Sequence, residues 1–297
     1  MKSILFLLLT VSIISCGNNH QKREQLKNFQ LSALEKLAGG FTFTEGPAVD
    51  KQGNVFFTDV REHMIYIWTV DNKLDTFRAN SGRANGLYFD KNQNLLACEG
   101  EKGRITSTSP NGNYKTIGSL FKGKRFNQPN DLWPDKKGGV YFTDPMYGGD
   151  ETAIPQDGMH VYYIHPDKNK VSRVIDDFKK PNGVLGTPDG KTLYVTDAEA
   201  NKTYRYEIQE DGHLTNKKLF IDVGFDGMTL DKSGHLYITP NGKQAVDVYS
   251  PSGELLHSIQ VPEKPSNVCF GGEKRNELYI TARTSIYRIK LNTQGVD

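Results

Sequence analysis

An all-β fold is predicted for this chain, a six-bladed β-propeller with four-stranded antiparallel blades around a central channel. Three regularities predict it. A dipeptide led by an oxygen-bearing side chain precedes a short apolar run six times, at intervals of about 40 to 54 residues, a spacing of propeller blades rather than of helical arrays. Each run reaches a turn centred eight residues after the polar residue. Each turn then leads to a second run rich in Val, Ile, Tyr, Phe and Thr, the composition of half-buried strands.

In chain order the leading dipeptides are Glu45-Gly46, Asn85-Gly86, Asn130-Asp131, Asn182-Gly183, Asp226-Gly227 and Ser266-Asn267. The turns centre on Gly53, Gln93, Gly138, Gly190, Gly234 and Arg275. The second strands read Val55-Phe56-Phe57-Thr58-Asp59, Leu95-Leu96-Ala97-Cys98-Glu99, Val140-Tyr141-Phe142-Thr143-Asp144, Leu193-Tyr194-Val195-Thr196-Asp197, Leu236-Tyr237-Ile238-Thr239 and Leu278-Tyr279-Ile280-Thr281. In blade one, strands are expected at 47–50, 55–59, 65–70 and 74–77, with Asp71-Asn72 as a turn. Closing the ring requires near-terminal strands to pair, around 30–37 and 285–291. Because the first strand of each blade runs away from the polar residue and the second returns, the loops after each second strand share a face with the six polar residues. The loop from Pro145 to His160 is the longest on that face, the length of a binding segment.

The fixed offset of eight places Glu45, Asn85, Asn130, Asn182, Asp226 and Asn267 at one equivalent position, so a closed ring brings six polar side chains to its axis. Such a set suits a hard cation, since Ca²⁺ takes roughly six to eight oxygens from carboxylates, amides and water. Glu45 and Asp226 balance a dication, and no His or Cys joins the ring, which disfavours a conventional zinc site. Turn capping is the competing explanation for Asn and Asp. It does not account for a Glu at one of the six positions.

The charge balance of 37 basic and 35 acidic residues shows no basic block and argues against nucleic acid as the partner. Residues 1–15 read as a signal peptide, with Lys2 before an apolar stretch at 4–14. The sequence Ile13-Ile14-Ser15-Cys16-Gly17 resembles a bacterial lipoprotein site, which makes Cys16 the expected lipidated residue, 16–28 a tether and 29–292 the propeller. An exported protein held at the membrane only by its N-terminal lipid, facing periplasm or cell surface, is expected, and nothing demands more than a monomer. Cys98 and Cys269 fall in non-adjacent blades and are expected as buried thiols. Trp68 and Trp133 are expected as blade packing, and His63 and His160 as loop residues on the site face, within reach of a substrate but more simply surface residues.

Glu45-Gly46-Pro47, Pro129-Asn130-Asp131, Phe142-Thr143-Asp144-Pro145-Met146-Tyr147-Gly148, Pro181-Asn182-Gly183 and Asp226-Gly227-Met228 together resemble the gluconolactonase/regucalcin family over about residues 40–290. The resemblance implies a six-bladed propeller with one divalent metal in its channel. It implies Glu45, Asn182 and Asp226 as metal ligands, Asn130 as a residue touching metal or substrate, and Asp226 as the catalytic acid/base. Propellers of the diisopropylfluorophosphatase type use a similar Glu, Asn, Asn, Asp quartet on calcium. Where regucalcin-like members carry an Arg, this chain has Gln128, with Arg125 nearby at another offset. The expected site is therefore Glu45, Asn130, Asn182 and Asp226 on a divalent ion, Ca²⁺ before Zn²⁺, Mg²⁺ or Mn²⁺, with Asn85, Asn130, Asp131 and Tyr147 toward the substrate. The expected activity is hydrolysis of a sugar lactone to its aldonic acid. A calcium-dependent phosphotriesterase or arylesterase on the same scaffold, and a non-catalytic carbohydrate- or partner-binding propeller, are the alternatives.

Overall fold

A computed structural model describes residues 29–296. The expected signal peptide, the tether and Cys16 lie outside the described residues. Six four-stranded antiparallel sheets and one two-stranded hairpin make up the fold.

From the axis outward, blade one is Thr44–Val49, Val55–Asp59, Met64–Trp68 and Leu74–Arg78, and blade two is Ala84–Phe89, Leu95–Glu99, Arg104–Thr108 and Tyr114–Gly118. Blade three is Leu132–Pro134, Val140–Asp144, His160–Ile164 and Val171–Ile175, and blade four is Pro181–Gly186, Thr192–Asp197, Lys202–Ile208 and Leu214–Ile221. Blade five is Phe225–Leu230, Leu236–Pro240, Ala245–Tyr249 and Leu255–Gln260. Blade six takes Asn267–Gly271, Glu277–Ala282 and Ser285–Lys290 from the end of the chain and Glu35–Gly39 from its beginning. Inner strands of successive blades touch, and those of blades one and six touch in turn, so the ring closes in sequence order.

Burial follows the layering. Val55–Asp59 is buried at every position, whereas four of the five residues of Leu74–Arg78 are exposed. The inner strands lie between neighbouring blades and are largely buried, at every position in blades one, four and six. Blades interlock through large side chains. Phe56 meets Phe89 of blade two edge-on at 5.0 Å, and Val49, Phe57 and Trp68 of blade one pack with Cys269 and Tyr279 of blade six. Cys98 and Cys269 are buried with no disulfide between them, as expected.

Three details depart from expectation. The inner strand of blade one begins at Thr44, ahead of the polar residue, because a β-bulge between Glu45 and Ala48 lets pairing continue past it. Ring closure uses Glu35–Gly39 against Ser285–Lys290, with Glu35 opposite Arg288, and only an isolated bridge from Gln30 to Leu291 lies further out. A small hairpin, Leu120–Phe121 with Lys124–Arg125, is inserted between blades two and three.

Candidate active site

A bulge in the inner strands of blades one, two, four and five sets two consecutive residues against one on the second strand, hydrogen bonds just ahead of the paired strands repeat the arrangement in blades three and six, and the axis is so built in two tiers. In blade three the Asn130 amide donates to the Thr143 carbonyl at 2.9 Å and the Thr143 amide donates to the Asp131 carbonyl at 3.0 Å. The Thr143 hydroxyl also accepts the Asp131 amide at 3.1 Å. The same hydroxyl contact recurs from Gly227 to Thr239 at 2.8 Å and from Asn267 to Thr281 at 3.1 Å. Asn267 therefore matches Asp131 and Gly227, not Asn130 and Asp226.

The expectation that Asn267 completes the ring is corrected on this ground: Ser266 occupies the sixth place. Four steps separate Asn267 from the closing pair at Gly271, against three from Asp131 to Pro134, so counting back eight from the turn lands one residue late. The Ser266 hydroxyl donates to the Thr44 carbonyl at 2.6 Å, which ties it to the blade one–six seam.

In four blades the second bulge residue is glycine. A Cβ on Gly46, Gly86 or Gly183 would collide with the carbonyl oxygen of Asn85, Asn130 or Asp226 respectively. Glycine is what lets neighbouring inner strands approach until the first-tier side chains crowd together. The exceptions, Asp131 and Asn267, stand in opposite blades and line a small chamber of about 30 Å³ below the site. Asp131 accepts the Leu132 amide at 2.9 Å and the Val184 amide at 3.2 Å. Burial outweighs those bonds and pushes its carboxyl up to about 7. Expected as a substrate contact, Asp131 instead lies beneath the open cavity, because the bulge turns consecutive side chains to different levels.

Above this chamber a cavity of about 280 Å³ opens on the face predicted from strand direction. Glu45, Asn85, Asn130, Asn182 and Asp226 line it, with Tyr147 on its wall. Glu45 is 2% exposed, and burial first, then the Asp226 charge, hold its carboxyl well above the usual range. Asp226 keeps some surface open to the cavity, yet burial raises its carboxyl too, against the Asn182 amide and the charges of Lys264 and Arg283. The two carboxyls lie within hydrogen-bond reach of each other. Such a pair repels when both members are charged, so a proton or a cation must stand between them. The Asn182 amide donates to the Tyr147 hydroxyl at 2.9 Å and also to Asp226. The side chains of Asn85 and Asn130 have no hydrogen-bond partner among the described residues, although both line the cavity floor.

This donor set fits a dication. No group of three or more His, Cys, Asp or Glu side chains gathers among the described residues. Two carboxylates among neutral amide oxygens are hard donors whose charge matches Ca²⁺.

The long loop of blade three is pinned rather than loose. The Asn127 side chain donates to the carbonyls of Asp144 and Gly158 at 3.1 and 2.9 Å and accepts the Gln156 amide at 3.0 Å. Gln128 accepts the Tyr147 amide at 2.9 Å and so sets Tyr147 over the cavity. Arg125 points elsewhere, to the carbonyls of Glu101, Phe126 and Asn127. His160 opens a buried strand and contacts Asp157 at 3.2 Å, and His63 lies 3.6 Å from Glu101; neither lines the cavity.

Sequence reasoning passed over Arg61, Arg83 and Arg283, which also line the cavity. A usable signal was present: Arg61 and Arg283 follow the ends of second strands and Arg83 precedes an inner strand, all on the face already identified.

A closed ring of six blades with a carboxylate–amide floor in its axial cavity defines the class, a β-propeller with a buried carboxylate pair at the mouth of its channel. The chain belongs to the SMP-30/Gluconolactonase/LRE-like family, whose region matches residues 43–284. It is 30% identical to a gluconolactonase of Zymomonas mobilis, covering 88% of this chain and 82% of that protein. It is 27% identical to the lactonase drp35 of Staphylococcus haemolyticus, covering 73% and 69%. Among solved structures, a gluconolactonase of Xanthomonas campestris superposes with a TM-score of 0.81 at 27% identity over 90% of this chain and 92% of that one. The calcium-binding protein regucalcin of Agrobacterium tumefaciens superposes at 0.74 with 20% identity over 90% and 96%, a likeness of fold.

Proposed function

We propose that the chain is a divalent-metal-dependent hydrolase that opens a sugar lactone to its aldonic acid. The observation that carries this reading is the buried Glu45–Asp226 pair on a floor of amides, two of which have no partner among the described residues. The lactonase names of its relatives support it.

Glu45, Asn130, Asn182 and Asp226 would hold the ion, with Ca²⁺ favoured by the all-oxygen set. When bound, a dication polarises the lactone carbonyl and stabilises the oxyanion that water attack creates. Asp226, oriented by Asn182, takes the proton of the attacking water. The Tyr147 hydroxyl already accepts from Asn182, so its own hydrogen is available to a substrate oxygen. The free Asn85 amide binds a ring hydroxyl. The pinned loop carrying Tyr147 shields one side of the site from bulk water.

The test is proton release from D-glucono-1,5-lactone by metal-stripped protein, then with Ca²⁺, Zn²⁺, Mg²⁺ or Mn²⁺ restored. Turnover well above the spontaneous rate, lost on stripping and in Glu45→Gln, is the expected result. Asp226→Asn separates its roles: metal retained with turnover lost supports proton transfer, and metal lost leaves ligation alone. From the N-terminal sequence alone, with Ser15-Cys16-Gly17 after an apolar stretch, we also propose that the enzyme is exported as a monomeric lipoprotein carrying its lipid on Cys16. Labelled palmitate should enter the wild type and not Cys16→Ala.

A further inference from the structure

Arg61, Arg83 and Arg283 reach one cavity from blade one, the connection between blades one and two, and blade six. No carboxylate among the described residues lies in ion-pair range of any of them, and none of their guanidinium groups has a hydrogen-bond partner there. The other described arginines are engaged. Arg78 and Arg104 pair with Glu99, Arg173 with Asp157 and Arg288 with Glu35. Arg125 and Arg275 donate to backbone carbonyls, and Arg205 bonds Tyr194. Arg61 and Arg283 share the Phe43 ring, their guanidinium carbons 5.7 and 5.3 Å from its centroid. That contact orients two cations without neutralising either. The nearby carboxylate Glu62 is occupied by the Thr42 hydroxyl at 2.7 Å.

The charges in the cavity do not cancel. Glu45 and Asp226 balance a dication, which leaves the charges of Arg61, Arg83 and Arg283, the last of them also acting on Asp226, without an ion pair among the described residues. Guanidinium groups match carboxylate and phosphate oxygens in pairs, and a concave wall focuses their field. Gln128, spent on the Tyr147 amide, adds no charge. We propose that the preferred substrate is a lactone bearing an anionic group, carboxylate or phosphate, bound by Arg61, Arg83 and Arg283 while the lactone carbonyl lies over Glu45 and Asp226. This rests on the lactonase reading and names its substrate class.

Three probes decide it with the metal-loaded protein: neutral D-glucono-1,5-lactone, D-glucaro-1,4-lactone with a free carboxylate, and 6-phospho-D-glucono-1,5-lactone. One charged lactone should exceed the neutral one in kcat/KM by about ten-fold or more, with the advantage shrinking as salt rises. Which of the two is preferred identifies the anion. Arg83→Met and the Arg61→Met/Arg283→Met double variant should reduce the charged-to-neutral ratio by about ten-fold, and Arg83→Lys should restore part of it. Turnover of the neutral lactone with no preference for either charged one, or a ratio unmoved by the arginine changes, overturns this inference and leaves the lactonase reading intact. No turnover of any of the three removes both.

Discussion

The same residue type does opposite things at the two ends of the propeller. At the hairpin end, Asp50 gathers the amides of Gln52, Gly53 and Asn54, Asp90 those of Asn92 and Asn94, and Asp135 those of Lys137 and Gly139. Asp189 is held below the usual carboxylate range by the Thr187 hydroxyl and the Lys191 amide. These carboxylates are consumed by turn chemistry. At the cavity end, Glu45 receives the amide of its own neighbour Gly46 and a side-chain bond from Asn267, Asp226 receives no backbone amide among the described residues, and both are pushed upward by burial. The difference lies in what the backbone supplies. A carboxylate whose oxygens are filled by amides is structural, and the facing Glu45–Asp226 pair, left short of donors, is where we propose that a cation binds.

The largest effect should separate the two ends. Glu45→Gln is expected to lower turnover by about a hundred- to a thousand-fold. It should leave the metal-free melting temperature unchanged or higher, because a buried like-charge pair is relieved. Wild type should gain about 2.7 kcal/mol from Ca²⁺ at a hundred times its Kd, and this variant almost nothing, as paired thermal melts will read. A metal-free melt that falls sharply in the variant would mean Glu45 is structural after all.

Next in size is a hairpin-end change. Asp231 is 1% exposed and accepts the amides of Ser233 and His235, the Tyr237 hydroxyl and the Thr293 hydroxyl. Asp231→Ala should cost about 2–3 kcal/mol, since buried donors lose their acceptor. Calcium affinity in calorimetry should not move.

Smaller still is Glu263, exposed in part and acceptor to the Thr284 amide and hydroxyl at 3.0 and 2.8 Å and to the Tyr287 hydroxyl at 2.7 Å. Burial opposes its charge, but the hydroxyls of Ser285, Tyr287 and Thr284 win and hold it at about 2. A depressed carboxyl stabilises the fold above its ordinary value near 4.5 and loses that contribution as pH falls toward 2. Glu263→Gln should flatten the acid limb of unfolding curves over that window.

Asp144 carries the opposite sign. Fully buried, with one oxygen unpartnered, it is raised to about 8 by burial against the Asn127 amide. Its contribution is complete below the ordinary carboxylate range and disappears as pH rises through about 8. Asp144→Asn should therefore soften the loss of stability as pH rises from the ordinary carboxylate range through about 8.

Blade number, second strands and the site face were legible in the sequence because a period-two pattern punctuated by turns survives divergence between blades. Glu45, Asn85, Asn130, Asn182 and Asp226 were found by one offset. That offset failed at Asn267 because hairpin length is set by pairing, which the sequence does not count. It misplaced Asp131 because a bulge separates adjacent side chains by a whole tier, and nothing in Asn130-Asp131 marks the bulge. The arginines were invisible as a group, since Arg61, Arg83 and Arg283 converge only once the ring closes.

That closure has a kinetic consequence. Glu35 bonds Arg288 across 253 positions of chain, so the outer strand of blade six stays unpaired until the final strand has been made. The chain is thus of high contact order in one decisive step, and ring completion is expected to be slow relative to the folding of single blades. Until that step the early strand presents an open edge, which makes the unfinished ring the species most exposed to misassociation.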